Sequence, residues 1–127
     1  MSRALRIGLA GAGSISRTYA QALGRVPGAE LVAVWSQTRD RAERFASDFA
    51  CATATDRIDD LWPHVDVVCV NSPNFLHAQQ AIAAARAGKH VIVEKPLAVS
   101  LEEGEAIVAA CAEAGVGLAY AEELPFV

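Results

Sequence analysis

A glycine-rich string near the start of the chain has the residue types of a phosphate-binding turn. Residues 8–16 read Gly-Leu-Ala-Gly-Ala-Gly-Ser-Ile-Ser and follow an apolar segment. A diphosphate binds bare backbone N–H groups at a helix N-terminus, and a Cβ at Gly11 or Gly13 would block the turn or the approach. Ser16 stands at the third position of this fingerprint, where glycine or alanine is usual, so we expect strand and helix to pack slightly farther apart there. The string predicts a dinucleotide site, and its alternative is a glycine turn that serves only the fold.

Polar residues after a second apolar run, 31–35, bear on which dinucleotide is bound. An NAD-selective domain usually places Asp or Glu here to hold the ribose 2′-hydroxyl, but this chain has Ser36. Thr38 and Arg39 follow closely, and a guanidinium offers a planar, charge-assisted fork to a 2′-phosphate. We therefore favour NADP over NAD. The alternative, compatible with the first, is that Thr38 only caps a helix and that Arg39 and Arg41 are solvated.

A third polar stretch, Asn71-Ser72-Pro73-Asn74, follows another apolar run and precedes a helix. Proline suits a first helical position, and serine and asparagine supply short polar groups at a helix start. We expect this loop to contact the cofactor. His77 lies near the start of that helix, where contact with the ligand, proton transfer and a purely structural hydrogen bond are all open.

The charged pair Glu94-Lys95 comes directly after the apolar residues 91–93 and directly before Pro96. Charges next to a buried strand are costly unless they face a cleft or pair with each other. Lys95 is therefore a candidate proton donor or acceptor beside a nicotinamide or a substrate hydroxyl. A structural ion pair between Glu94 and Lys95 is the alternative. A cis peptide before Pro96 would fix the direction of Lys95.

Apolar runs of strand length alternate with segments of helical periodicity along the whole chain. Strands are predicted at residues 5–10, 31–35, 51–55, 65–70, 91–93 and 116–120, the third of them a short edge strand. Helices are predicted at residues 15–25, 39–49, 74–87 and 100–114, the last opened by a capping box at Ser100 and Glu103. This alternation with short connections predicts an α/β fold, a doubly wound parallel sheet of Rossmann type between two helix layers.

Composition limits the class of protein. A chain of 127 residues with 53% hydrophobic and 20% charged residues is enough for one domain with a core. The net charge of -4 and a pI near 5.3 exclude a general nucleic-acid or anionic-membrane binder. Three cysteines without metal-ligand or CxxC spacing indicate core thiols in a reducing compartment, and no apolar run is long enough for a membrane span. We expect a soluble cytoplasmic protein that holds no metal.

Three motifs together resemble one known family. The strings Gly11-Ala12-Gly13-Ser14-Ile15, Ser72-Pro73-Asn74-Phe75-Leu76-His77 and Ala87-Gly88-Lys89-His90-Val91-Ile92-Val93-Glu94-Lys95-Pro96-Leu97-Ala98 closely resemble the Gfo/Idh/MocA family, which includes glucose-fructose oxidoreductase and inositol dehydrogenase. The similarity runs from about residue 4 to residue 126. The Gly-Lys-His-Val-x-x-Glu-Lys-Pro string is the most specific of the three.

The resemblance implies an NAD- or NADP-binding Rossmann domain that takes part in hydride transfer at a hydroxyl carbon of a sugar, cyclitol or related polyol. It implies that Lys95 is the catalytic lysine, supported by Glu94. It also implies a set of residues along the cofactor: Gly11, Gly13, Ser14 and Ile15 at the pyrophosphate, Ser36 and Arg39 at the adenosine ribose, and Ser72, Pro73, Asn74 and His77 along its middle section.

Members of the family continue into a second α/β domain that carries the substrate wall. We expect residues 1–121 to form the cofactor domain, and residues 122–127 to begin the crossover to a second domain that this sequence lacks. On that basis we expect cofactor binding with little turnover, and self-association through uncovered apolar surface. The alternative function is a stand-alone, non-enzymatic NAD(P)-binding or sensing module that acts through a partner chain.

Overall fold

The computed structural model describes residues 4–95 and 98–121. Strands and helices alternate along these residues: β1 Leu5–Ala10, α1 Ser14–Leu23, β2 Ala29–Trp35, α2 Arg39–Phe49, β3 Thr53–Thr55, β4 Val67–Val70, α3 His77–Arg86, β5 His90–Glu94, α4 Leu101–Ala114 and β6 Leu118–Ala121. Every neighbouring pair of strands is parallel, in the order β3-β2-β1-β4-β5-β6. This order confirms the predicted doubly wound sheet, because the chain reverses its direction across the sheet between β1 and β4.

Side chains on one face of the sheet pack against α1 and α2. Leu9, Val34 and Cys69 are buried there with Ala20 of α1 and Phe45 of α2. Alternate residues of a strand point to opposite faces, so the residues next to these in sequence lie on the other face.

The second face packs against α3 and α4. Val68 and Val91 are buried there with Ala81 of α3 and with Ile107 and Cys111 of α4. Both faces are therefore covered by helices, which explains why the strands read as nearly continuous apolar runs. The three-layer arrangement leaves the strand ends as the places where polar side chains meet.

Asp66, which breaks the apolar run before β4, pairs with the second residue of β1. Its carboxylate accepts hydrogen bonds from the Arg6 backbone N–H at 2.9 Å and from Arg6 Nη2 at 3.0 Å. The Asp66 N–H in turn donates to the Arg6 carbonyl oxygen at 2.7 Å. Asp66 thus fixes the entry of β4 beside β1.

All six predicted strands and all four predicted helices are present, several of them with shifted ends. The predicted strands at 51–55 and 116–120 begin two residues later, because the Cys51 and Val116 N–H groups donate to Ala46 and Cys111 and complete the ends of α2 and α4. The strand predicted from residue 65 begins at Val67, where pairing with Ile7 of β1 starts.

Helix boundaries also shift. The helix predicted at 15–25 ends at Leu23, and the one predicted at 74–87 is divided into a 3-10 turn, Asn74–Leu76, followed by α3. At α4, Ser100 Oγ accepts a hydrogen bond from the Glu103 N–H at 3.1 Å, which is one half of the predicted capping box. The Glu103 Oε1 atom is buried and has no hydrogen-bond partner in the described part of the chain.

No helix in residues 4–95 and 98–121 is long and apolar enough to cross a membrane. Within the same residues no group of three or more His, Cys, Asp or Glu side chains is placed to hold a metal ion. The predicted cis peptide at Pro96 and the crossover at residues 122–127 lie outside the described residues.

All three cysteines carry free thiols, and Cys69 and Cys111 are buried in the core as predicted. Burial, and to a lesser degree the charge of the nearby Glu94 carboxylate, together raise the pKa of the Cys69 thiol to about 12. Burial also raises the pKa of Cys51, to about 11. Both thiols therefore stay protonated in the folded chain well above the pH at which an exposed thiol ionises.

The raised thiol pKa values predict a loss of stability at alkaline pH. The unfolded chain releases the Cys69 proton above the ordinary thiol pKa of 9.0, whereas the folded chain keeps it up to about 12. The contribution of this thiol is complete below pH 9.0 and falls between these limits, at most about 1.4 kcal/mol per pH unit. Urea unfolding followed by tryptophan fluorescence at several pH values measures the slope. Cys69→Ala is expected to flatten it, and an unchanged slope in this variant would contradict the assignment.

Candidate functional site

A cleft opens at the carboxyl ends of β1, β2 and β4, where the strand order reverses. Its volume is about 310 Å³. It is lined by the glycine turn and helix start, the residues after β2 and the residues after β4, namely Gly11, Ala12, Gly13, Ser14, Ile15, Trp35, Ser36, Gln37, Arg41, Asn71, Ser72 and Pro73. Ligands of open α/β sheets bind at this kind of position.

The fold itself requires glycine at position 11, whether or not a ligand is bound. The Gly11 φ of +133° is a conformation that side chains rarely adopt. A Cβ there would lie 3.0 Å from the Asn71 carbonyl carbon and oxygen and 3.1 Å from the Ser72 nitrogen. Gly11 therefore lets the loop after β4 lie directly against the loop after β1, and this contact forms the floor of the cleft.

Gly13 has no such internal reason to be glycine. Its φ of -88° and ψ of -166° are open to any residue, and a Cβ there would have no atom within 4 Å. Gly13 is the N-cap of α1, with no side-chain capping bond and no acidic residue in the first helical turn. The first N–H groups of this helix thus lack a side-chain cap, and the space beside residue 13 at the helix start is open.

Two side chains that line the cleft carry buried polar atoms without a hydrogen-bond partner. Trp35 Nε1 and Asn71 Oδ1 are both in this state within the described part of the chain. The amide nitrogen of Asn71 donates to Ser16 Oγ at 3.2 Å, so the serine at the third fingerprint position ties α1 to the loop after β4. Unpaired buried polar atoms are rare in folded proteins, and at a cleft a bound ligand or water can supply the missing partner.

The structure places the predicted residues of the loop after β4 in two different environments. Ser72 and Pro73 line the cleft, whereas Asn74 is exposed and outside its lining. His77 is 1% exposed and lies beneath the loop, where its Nε2 is 2.7 Å from the Ser72 carbonyl oxygen. Because a carbonyl oxygen only accepts, His77 Nε2 is the donor. Of the three open roles for His77, this geometry favours the structural hydrogen bond.

The residues after β2 are also divided. Ser36 is buried and lines the cleft together with Arg41. Thr38 is the exposed N-cap of α2 and makes no side-chain capping bond. Arg39 lies outside the cleft lining and pairs with Asp56 at 3.4 Å and with Glu43 at 3.8 Å. The arginine that lines the cleft is therefore Arg41, which the sequence pattern left among the solvated residues.

Glu94 and Lys95, at the end of β5, do not form an ion pair with each other. Glu94 Oε2 accepts a hydrogen bond from the Tyr19 hydroxyl of α1 at 2.8 Å. Burial and this bond together raise the pKa of the Tyr19 phenol well above its ordinary value. Lys95 is exposed and has no ion pair with another residue that the structure describes. Neither residue is among those lining the cleft.

Comparison with known proteins places the chain in a family. The model of the Gfo/Idh/MocA family, described as an oxidoreductase family with an NAD-binding Rossmann fold, matches residues 5–122. The chain belongs to the Gfo/Idh/MocA oxidoreductase family. The fold and the resemblance predicted from the three motifs are thereby confirmed.

Individual relatives support the assignment. The chain is 40% identical to 1,5-anhydro-D-fructose reductase of Ensifer adhaerens over 115 residues, which is 89% of this chain and 34% of that protein. It is 33% identical to the WlbA dehydrogenase of Bordetella pertussis, solved with NADH and UDP-GlcNAcA, with a TM-score of 0.88 over 94% of this chain and 37% of that one. A 3-ketoreductase of Actinomadura kijaniata, solved with TDP-benzene and NADP, has 35% identity and a TM-score of 0.86 over 93% and 38% of the two chains. The chain spans about a third of the length of the curated relatives it matches.

The residues present fit a nicotinamide dinucleotide. Gly13 leaves open the space that a pyrophosphate needs at the N-terminus of α1, and the unpaired atoms of Trp35 and Asn71 lie at the same cleft. Sequence reasoning missed four lining residues, Ala12, Trp35, Gln37 and Arg41. The apolar pattern predicts only a strand at Trp35. The position of Arg41 in a predicted helix does not indicate whether its side chain points to the cleft or to solvent.

The same substitution at the two glycines is expected to affect different properties, cofactor binding at Gly13 and stability at Gly11. Gly13→Ala leaves the fold intact because no atom is within 4 Å of the new Cβ, but it places a methyl group where the pyrophosphate approaches. We expect NADP⁺ to bind at least about ten-fold more weakly, with an unchanged melting temperature. Gly11→Ala is expected to destabilise the fold by roughly 1–3 kcal/mol through backbone strain and contact with Asn71. Calorimetric titration and thermal unfolding of both variants measure these effects, and full-strength NADP⁺ binding by Gly13→Ala would refute the role of this glycine.

Proposed function

We propose that the cleft binds NADP(H) in preference to NAD(H). The supporting observation is the charge of its lining, which includes Arg41 and, among the described residues, no aspartate or glutamate. Ser36 stands where a carboxylate would otherwise hold the ribose 2′-hydroxyl and repel a 2′-phosphate. A 2′-phosphate thus meets a hydroxyl and a cation at this end of the cleft.

A second hollow beside the cleft strengthens this proposal. It has a volume of about 310 Å³ and is lined by residues 12–14 of the glycine turn and by Arg17, Arg41 and Arg44. Arg17 is neutralised by Asp48, 2.8 Å away, and stacks over the rings of Phe45 and Phe49.

The other two arginines of this hollow have no carboxylate partner among the described residues. Arg41 and Arg44 make no ion pair with any residue in ranges 4–95 and 98–121. Arg41 lines both the hollow and the cleft, which supports a contact between this side chain and the adenosine ribose of a cofactor bound on the glycine turn. We therefore propose Arg41, ahead of Arg39, as the principal 2′-phosphate contact.

The solved relatives do not decide between the two cofactors, since one carries NADH and another NADP. The choice depends on the side chains of this chain after β2. Arg39 is held by Asp56 and Glu43, and those two carboxylates compete with any phosphate for its guanidinium. Arg41 faces no such competition from the described residues.

We further propose that the protein containing this domain oxidises or reduces a hydroxyl-bearing carbon of a sugar, cyclitol or related polyol. The proposal draws on relatives that include an anhydrofructose reductase and a 3-ketoreductase. The bound cofactor supplies the acceptor or donor of the hydride. Lys95 takes the hydroxyl proton when the carbon is oxidised and returns it when the carbonyl is reduced. Glu94 accepts a hydrogen bond from the Tyr19 hydroxyl and makes no ion pair with Lys95.

Two arginines of α2 give a matched test of cofactor choice. We expect Arg41→Ala to weaken NADP⁺ binding by about ten- to a hundred-fold, the loss of one charge-assisted hydrogen bond, and to leave NAD⁺ within about two-fold. Arg39→Ala removes the same charge from the same helix and is expected to change neither Kd by more than about two-fold. Calorimetric titration of the 127-residue chain with both cofactors measures this. Equal loss for both cofactors in Arg41→Ala would refute the 2′-phosphate role, and a larger effect of Arg39→Ala would return that role to Arg39.

Turnover tests the enzymatic proposal separately. The 127 residues alone are expected to bind NADP⁺ with little turnover, because Lys95 is exposed and a proton-transferring group must be held within hydrogen-bond reach of its substrate. In a longer protein that contains the domain, Lys95→Ala is expected to lower kcat by roughly 10²–10⁴-fold while the Kd for NADP⁺ stays unchanged. Absorbance at 340 nm with a panel of sugars and cyclitols measures the rate. Cofactor binding with no turnover in the longer protein would favour the binding or sensing module.

A further inference from the structure

Two side chains of α3 hold Ser72 from below, one at its hydroxyl and one at its carbonyl oxygen. Its hydroxyl donates to Gln80 Oε1 at 2.5 Å, and its carbonyl oxygen accepts from His77 Nε2 at 2.7 Å. His77 and Gln80 are three residues apart on α3 and therefore lie on the same face of the helix. Both are buried, at 1% and 3% exposure. The other buried residues of α3 are alanines, so these two polar side chains stand out on an otherwise apolar face.

The position of Ser72 determines the floor of the cleft. Its backbone nitrogen lies 3.1 Å from the position that a Cβ of Gly11 would occupy. The loop after β1 and the loop after β4 are therefore in close contact here, with no room for a side chain. Pro73, which follows directly, lines the cleft as an exposed residue. A shift of the Ser72 carbonyl would move Pro73 and open the contact with Gly11.

We propose that Gln80 is a positioning residue for cofactor binding, which acts with His77 by clamping Ser72 against the glycine turn. Gln80 does not line the cleft and acts only through Ser72. Since the Ser72 hydroxyl proton is donated to Gln80, this hydroxyl can accept a hydrogen bond from the cofactor but cannot donate one. This inference rests on the proposed binding of a dinucleotide in the cleft.

The test separates positioning from simple stabilisation with two single variants and their combination. Gln80→Leu leaves the Ser72 hydroxyl buried without a partner, and Ser72→Ala does the same to Gln80 Oε1, so both single variants are expected to melt at lower temperature. The double variant removes both polar groups and is expected to regain most of the lost melting temperature. Its Kd for NADP⁺ is nevertheless expected to stay about five-fold or more above that of the wild-type chain, because residue 72 is then held by His77 alone.

Gln79→Leu is the matched control, because Gln79 is the exposed neighbour on the same helix. It is expected to change neither the melting temperature nor the Kd. Recovery of both stability and NADP⁺ affinity in the double variant would overturn the positioning role, as would unimpaired binding by Gln80→Leu. A wild-type chain that does not bind NADP⁺ at all would instead overturn the proposed function, and this inference with it. If Gln80→Leu does not fold, the double variant alone decides.

Discussion

The close approach of two backbone segments at the carboxyl edge of the sheet is the constraint on which the rest of the site depends. The loop after β1 and the loop after β4 touch at Gly11, where the backbone of Asn71 and Ser72 leaves no room for a side chain. Strand order reverses between these two strands, so their connections leave toward opposite faces and a crevice forms between them. A side chain at Gly11 would separate the two loops and remove the floor of that crevice.

The polar interactions around this contact hold it in place from several elements. Ser16 of α1 accepts a hydrogen bond from Asn71, and His77 and Gln80 of α3 hold Ser72. Helices on the two faces of the sheet therefore meet through the same loop. The apolar layers supply most of the stability, because burial of Val, Leu and Phe side chains dominates folding. The few buried polar groups fix the direction of a loop that apolar packing alone would leave undetermined.

Sequence periodicity was sufficient for the elements and insufficient for the directions of individual side chains. The limits of β1 and α2 agree with prediction at both ends, because each element has a regular apolar pattern and a clear stop. Arg39 and Arg41 are two residues apart on α2, which turns their side chains by about 200° relative to each other. One therefore faces Asp56 and the other faces the cleft. The hydrogen bond between Tyr19 and Glu94 joins positions 75 residues apart, and no local sequence pattern predicts it.

The sequence by itself determined the family, the parallel α/β architecture and the presence of a glycine turn at the start of the first helix. These follow from local spacing: apolar runs, glycines between a strand and a helix, and the Glu-Lys-Pro string after the fifth strand. Tertiary structure alone decided which polar residues share the cleft, which of two arginines faces it, and that His77 supports the loop from beneath. These facts depend on the packing of distant segments against each other, and a one-dimensional pattern does not contain the distances between them.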